Sequence, residues 1–292
     1  EKKKNLVVIM LRGGMDGLCA LPIKGDKHFE KLRSKINLDR TLPLSSDFDL
    51  HPALKTFKSL WDQNQSAAVH ATNIPYTGRS HFDGQNLMES GGKIPYQEKT
   101  GWLGRGMKIA GLTGNGLALA LPMPLLIRGV PMNNNYFPVG HKLPYPSTLK
   151  MIQEAYKQYD EKLLSENLEI IQTRELSNTS SDESWVLASN AANELSKPDG
   201  PKVAVFEVDG FDTHAAQGGT NGAHADCLSD YDNIVKSLKS SMTKEAFDNT
   251  LILTLTEFGR TIKQNSGNGT EHGYGSAVLM AGGLVKKAQV HS

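Results

Sequence analysis

The chain is 292 residues long, 38% apolar and 22% charged, with a formal net charge of +1, the profile of an ordinary globular protein long enough to bury a sizeable core. Its lysines and arginines are scattered, without the basic face or stripe that nucleic-acid binding needs, and the one compact basic run is residues 2–4. No apolar stretch approaches the roughly 20 residues that span a bilayer, since even the opening run NLVVIML stops at Arg12.

In chain order, NLVVIML (5–11) is a continuous apolar run closed by Gly13 and Gly14, which predicts a strand covered on both faces. HPALKTFKSLWDQN (51–64) spaces Leu54, Phe57, Leu60 and Trp61 along one helical face, and SAAVHAT reads as a second strand. A helix is expected at about 82–90. Between 92 and 147 the texture turns to Gly, Pro and Asn, around PLLIRGVPMNNNYFPVGHKLPYP, which predicts a long excursion across the mouth of the sheet, a lid or an interface. A helical region at about 148–196, strand KVAVFEV (202–208), a helix at 224–241, and strands LILTLT (251–256) and SAVLMAG (276–282) complete the pattern. Strands alternating with helices predict an α/β fold with a largely parallel sheet, read here as a single domain over 1–292.

Cys19 and Cys227 fit neither a metal-ligand spacing nor a disulfide framework and are expected to be free thiols. The charged lead without Met suits a processed exported chain or a trimmed one, and the abrupt end after a strand leads us to expect truncation at the C-terminus.

The polar clusters fall where ligands bind in open α/β sheets, beyond the carboxyl ends of the strands. RGGMDG follows the first strand, NIPYTGRSHFDGQ the second, DGFDTHAAQ the third and EFGRTIKQN the fourth. Asp209, Asp212 and His214 make a donor set suited to a divalent cation; equally, an Asp there caps the next helix. Glu257 is a candidate ligand and Arg260 a candidate anion clamp, against the reading of a surface ion pair. Glu271 and His272 are ligands or turn residues. Ser80, beside Arg79 at a helix start, is a nucleophile or simply the N-cap, with Asp83 three residues on.

LRGGMDGL, LHPALKTFKSLW, SHFDGQNLMESG, GFDTHAAQ and TEFGRTIKQNSGNGTEHG occur in the same order in the DUF1501 family, bacterial proteins of unassigned function, and the chain resembles that family from about residue 5 onward. The family commonly carries a twin-arginine export signal and is similar to the sulfatase and alkaline phosphatase superfamily. The resemblance implies an alkaline phosphatase-like three-layer sandwich, a periplasmic or otherwise exported setting, a divalent metal cofactor (Zn, Mn, Mg or Ca) and an anionic phosphate or sulfate ester as substrate. The alternative it leaves is a non-catalytic binding or assembly protein that keeps the fold. On this resemblance Ser80 is the nucleophile, Arg79 and Arg260 neutralise the anion, and Asp16, Asp212, His214, Glu257 and His272 are metal ligands.

The chain also departs from the superfamily pattern. Arg12-Gly13-Gly14 stands where its first Asp is expected, so the carboxylate arrives later, as Asp16. Glu257 and Phe258 replace an Asp-His pair, leaving one metal site and an incomplete second. The TGRS stretch lacks the Cys/Ser-x-Pro-x-Arg order, so sulfatase activity in particular is not supported.

Overall fold

Strand β1 (Asn5–Leu11) alternates its side chains between two faces, and both are buried. Val7, Ile9 and Leu11 enter one core, Val8 and Met10 the other. That is why the segment is continuously apolar rather than alternating. The computed structural model describes residues 2–120, 122–131, 133–135, 146–157 and 184–291. The chain divides into two compact units, Glu1–Phe137 with Glu183–Ser292, and Pro138–Asp182.

The other strands are β2 (Leu42–Pro43), β3 (Asp49–Leu50), β4 (Ser66–Thr72), β5 (Gly116–Leu119), β6 (Asn134–Asn135), β7 (Val203–Val208), β8 (Thr250–Leu255), β9 (Arg260–Gln264), β10 (Thr270–His272), β11 (Ser276–Ala281) and β12 (Val290–His291). Among the described residues, seven of them and β1 form one eight-stranded sheet in the order β12-β4-β11-β8-β1-β7-β5-β6. Only β11 runs antiparallel to its neighbours, β4 and β8; every other pairing in this sheet is parallel. The carboxyl ends of β1, β4, β7 and β8 therefore share one edge, and the β9–β10 hairpin is inserted at that edge before the chain returns as β11.

Helices cover both faces. Among the described residues they are α1 (Gly17–Ala20), α2 (Lys27–Leu32), α3 (Lys55–Trp61), α4 (His81–Ser90), α5 (Trp102–Ile109), α7 (Ser184–Ser196), α8 (Ala223–Ser241) and α9 (Lys244–Asp248), while α6 (Pro146–Lys157) belongs to the second unit. Leu228, Tyr231, Val235 and Leu238 of α8, at helical spacing, pack with Phe57 of α3 and Leu195 of α7 on one face. Met88 of α4 with Leu103 and Met107 of α5 closes the other. The α/β fold with a largely parallel sheet expected from the alternation is the fold observed, in the three layers that the resemblance implies.

Several elements differ from the sequence reading. The Gly/Pro-rich stretch from 92 is no mere excursion: it supplies α5, which roofs one face, and β5, whose small apolar run GLAL pairs in parallel with β7. Its part at 136–145 lies outside the described residues. The helical region expected at 148–196 contains α6 and α7, with 158–183 outside the described residues. The helix expected from 51 starts at Lys55, because Asp232 of α8 accepts the Thr56 and Phe57 N–H groups at 2.8 and 2.9 Å and caps it there.

Candidate metal centre

Four side chains from three segments meet beyond the shared strand edge: His81 opening α4, Asp212 and His214 in the loop after β7, and His272 ending β10. The loop after β7 can reach the β1 loop only because Gly13, at φ +110°, lacks a side chain; a Cβ there would sit 2.4 Å from the Asp212 nitrogen.

His272 Nε2 lies 2.8 Å from His81 Nε2 and 2.9 Å from His214 Nε2. Asp212 Oδ1 lies 3.0, 3.1 and 3.3 Å from the Nε2 atoms of His214, His81 and His272. Each opposite ring nitrogen faces an oxygen: Glu257 Oε1 at 2.7 Å for His81, Glu271 Oε2 at 3.0 Å for His214, and the Arg79 carbonyl at 2.8 Å for His272. An ionised carboxylate or a carbonyl can only accept, so Nδ1 carries the proton in each neutral ring and Nε2 presents a lone pair. Four lone-pair atoms this close repel one another unless a proton or a metal cation lies among them. Tetrahedral zinc with bonds of about 2.0–2.1 Å sets its donors about 3.3 Å apart, so the residues present fit such an ion.

The electrostatics suit the same purpose. Burial works against the charge of Asp212, but the hydrogen bond and charge of Arg260, with the facing imidazoles of His81 and His214, hold its carboxyl down at about 2. Burial would lower the pKa of His81, yet the hydrogen bond and charge of Glu257, then those of Asp212, raise it. Burial also opposes the charge of Glu257, but hydrogen bonds from His81 and Gln85 keep its pKa below the ordinary value.

Of the residues singled out in the sequence, Asp212, His214 and His272 come together, and Asp209 is not among them. Asp16 is a correction: it is buried away from the cluster, paired with both terminal nitrogens of Arg33 and capping α1. Glu257 lies outside the ligand set; fully enclosed, it accepts from Gly13 N at 2.9 Å and Gln85 Nε2 at 3.0 Å while orienting His81. Arg260 is a second correction. Its guanidinium is 0% exposed and donates to the carbonyls of Gly13, Gly14, Phe211 and Thr270 and to Asp212 Oδ1 at 2.6 Å, so it orients Asp212 and has no open face for an anion. Gly259 admits the Gly275 backbone, not a ligand: a Cβ there would lie 1.8 Å from the Gly275 oxygen. Ser80 is the N-cap of α4, its oxygen accepting the Asp83 N–H at 3.4 Å. Arg79 contributes its carbonyl, and its side chain is exposed.

His81 is the residue that sequence reading missed. The imidazole absent at Phe258 arrives from α4 instead, and the Phe258 ring packs against it and against His272 at 4.7 and 4.8 Å between centroids. The available signal was His81 with Gln85 one turn later, both of which reach Glu257.

Behind the cluster, His224 of α8 is wholly buried, which pushes its pKa down to about 3. Unfolded, it takes up a proton below about 6.5, so stability falls by as much as about 1.4 kcal/mol per pH unit from there towards 3. Urea denaturation at pH 7 and pH 5 should show this slope, and His224→Gln should flatten it; an unchanged slope in that variant assigns the acid sensitivity elsewhere.

The family described as "Protein of unknown function (DUF1501)" matches residues 171–292. The resemblance to that family is thus shown over the C-terminal part of the chain. The matched span includes Asp212, His214, Glu257, Arg260 and His272, while His81 lies before it. Among solved structures, the C-terminal periplasmic domain of EcEptC from Escherichia coli, in complex with Zn, aligns with a TM-score of 0.50 at 10% identity, over 97% of this chain and 73% of that one. A protein in the alkaline phosphatase superfamily from Vibrio parahaemolyticus aligns with a TM-score of 0.47 at 12% identity, over 100% and 63%. Ps i-CgsB aligns with a TM-score of 0.44 at 14% identity, over 99% and 68%. At such identities the likeness is one of fold. A search of curated proteins finds no match. No helix among the described residues is long and apolar enough to cross a membrane.

Proposed function

We propose that this chain binds one divalent metal ion through His81, Asp212, His214 and His272 and hydrolyses an anionic phosphate or sulfate ester with it, in an exported, periplasmic setting. The observation that carries the reading is the convergence of three oriented Nε2 atoms and one carboxylate oxygen, with pair separations of 2.8–3.3 Å from His272 and Asp212. Three imidazoles and a carboxylate favour zinc over magnesium or calcium, which take oxygen donors.

When bound, the metal supplies a Lewis acid for an ester oxygen. The protein's own groups hold it and aim the substrate. Glu257, Glu271 and the Arg79 carbonyl keep each Nδ1 protonated, and Arg260 keeps Asp212 ionised. Asp212 and His214 are the exposed members, at 45% and 40%, so an ester approaches from their side. Ser80, next to His81, is the nucleophile in this reading: its oxygen accepts the Asp83 N–H, leaving its own proton for transfer to a base. The exposed Arg79 side chain is the cation that meets the anion.

A second reading, a binding or assembly protein, has its own support. Four protein ligands complete a tetrahedron, which is the habit of structural zinc, and Arg260 is enclosed.

The test is elemental analysis of protein purified without chelator, followed by a panel of aryl phosphates and sulfates with the metal restored. Hydrolysis that disappears in Ser80→Ala, with stability down by only about 0.5–2 kcal/mol for the lost cap, supports the enzyme. Close to one metal per chain without turnover supports the second reading. Metal-free protein that takes up no zinc overturns both.

A further inference from the structure

Between Asp16 and the metal-facing histidines lies Gln217, fully buried, with a different partner at each end of its amide. Its Nε2 donates to Asp16 Oδ2 at 2.7 Å, while its Oε1 accepts from Thr270 Oγ1 at 2.6 Å and Thr213 Oγ1 at 3.0 Å. The two threonines stand one residue before His214 and two before His272, and their backbones are joined directly, Thr270 N donating to Thr213 O at 3.1 Å. Asp16 is itself held by Arg33, whose remaining N–H groups reach the Thr261 and Ile262 carbonyls of β9, both at 2.8 Å. The loop after β7 and the β9–β10 hairpin are thus tied to one anchor, and each tie is adjacent to a metal-facing histidine.

We infer that Gln217 is a positioning residue that sets the separation of His214 and His272, with Asp16 and Arg33 as its fixed support. The inference rests on the metal reading of the cluster. The chemistry requires an amide at this position. A donor must face the Asp16 carboxylate, and an acceptor must face two hydroxyls; glutamate would set a second carboxylate against the first, and leucine would take a hydrogen-bond partner from Asp16, Thr213 and Thr270 at once. Without the clamp, the two histidine-bearing segments keep the backbone hydrogen bonds from Thr270 N to Thr213 O, from Ala216 N to Gly267 O and from Gln217 N to Asn268 O, together with that from Asn265 Nδ2 to the His214 carbonyl, but the two threonines beneath the Nε2 atoms, 2.9 Å apart, lose their shared side-chain acceptor.

Because substitutions at Gln217 also disturb the buried Asp16–Arg33 pair, the threonines are the better probes. Thr213→Val and Thr270→Val keep the side-chain shape, remove one hydroxyl each and leave Asp16 and Arg33 untouched; Thr213→Ser and Thr270→Ser retain the hydroxyl. Zinc affinity is measured by competition with a chromogenic chelator, and the cobalt-loaded protein is read by its visible spectrum. Each valine variant should bind zinc about 10-fold or more weakly, the cost typical of removing a hydrogen-bonded neighbour of a ligand, and should shift the cobalt bands. The serine variants should stay near wild type. Leu195→Ala, a core change on α7, should lower the melting temperature without altering affinity. Valine variants with wild-type affinity, or serine variants as weak as the valines, overturn the role of Gln217 while leaving the metal site standing. A wild-type protein that binds no zinc overturns the metal reading, and this inference with it.

Discussion

His81→Ala should weaken zinc binding by more than the roughly 10–100-fold that loss of a ligand's hydrogen-bonded neighbour costs, because it removes a donor outright. Two effects combine. The Nε2 atom 2.8 Å from His272 is lost, and the fully enclosed Glu257 carboxylate is deprived of the imidazole that faces it at 2.7 Å. Glu257 keeps Gly13 N and Gln85 Nε2, so the fold should survive with a loss of about 1.5–3 kcal/mol for one hydrogen bond to a charged group. Arg79→Ala is the matched control: the group on His272 is the Arg79 backbone carbonyl, which alanine retains, so zinc affinity should hold. Chelator competition on both variants checks the pair. Wild-type affinity in His81→Ala removes that residue from the ligand set.

Arg33→Met should be the most destabilising of the changes considered. Arg33 is 0% exposed and Asp16 1%, so the variant leaves a buried carboxylate without its cation, a change that costs about 3–5 kcal/mol. Two β9 carbonyls lose their donor at the same time. The sign of the pH dependence follows from Asp16. Burial alone would raise its carboxyl, but the charge of Arg33, with smaller help from His224 and the hydrogen bonds of Arg33 and Gln217, holds it below its ordinary value. In the wild type the pair's contribution is present above about pH 4 and fades as pH falls through the depressed folded value. The variant loses the largest of the effects that depress that carboxyl, so the gap between the two proteins should narrow in acid. Urea midpoints at pH 7 and below pH 4 test this; a gap that widens in acid shows that the pair is not its source.

Much of the fold was legible because its strands are local statements. NLVVIML, KVAVFEV and LILTLT are apolar on both faces, and such runs can only be buried between two layers, so their neighbours had to be helices. Ser80 was legible for the same reason, since an N-cap acts within its own first turn. The small strands β5 and β9–β10 were less so. GLAL sits in a Gly/Pro-rich stretch, and RTIKQ is polar enough to read as loop; they are strands because β7 and β10 offer them partners.

The sequence by itself determined which chemistry could gather at the sheet edge: Asp212, His214 and His272 follow strands, and donor types suited to a cation are written in the residues. Only the tertiary structure decided the assignment of roles. His81 became the fourth donor when the start of α4 came against Glu257 and β10, contacts no local pattern encodes. Arg260 and Asp16 looked like site residues along the chain, but the β1 loop closed around the first, and Arg33 and Gln217 claimed the second. Propensity and patterning act over a few residues, whereas the partner of a charged side chain is settled by which distant segments pack over it, and a buried charge takes every partner within reach because leaving one unpaired costs more than any local preference supplies.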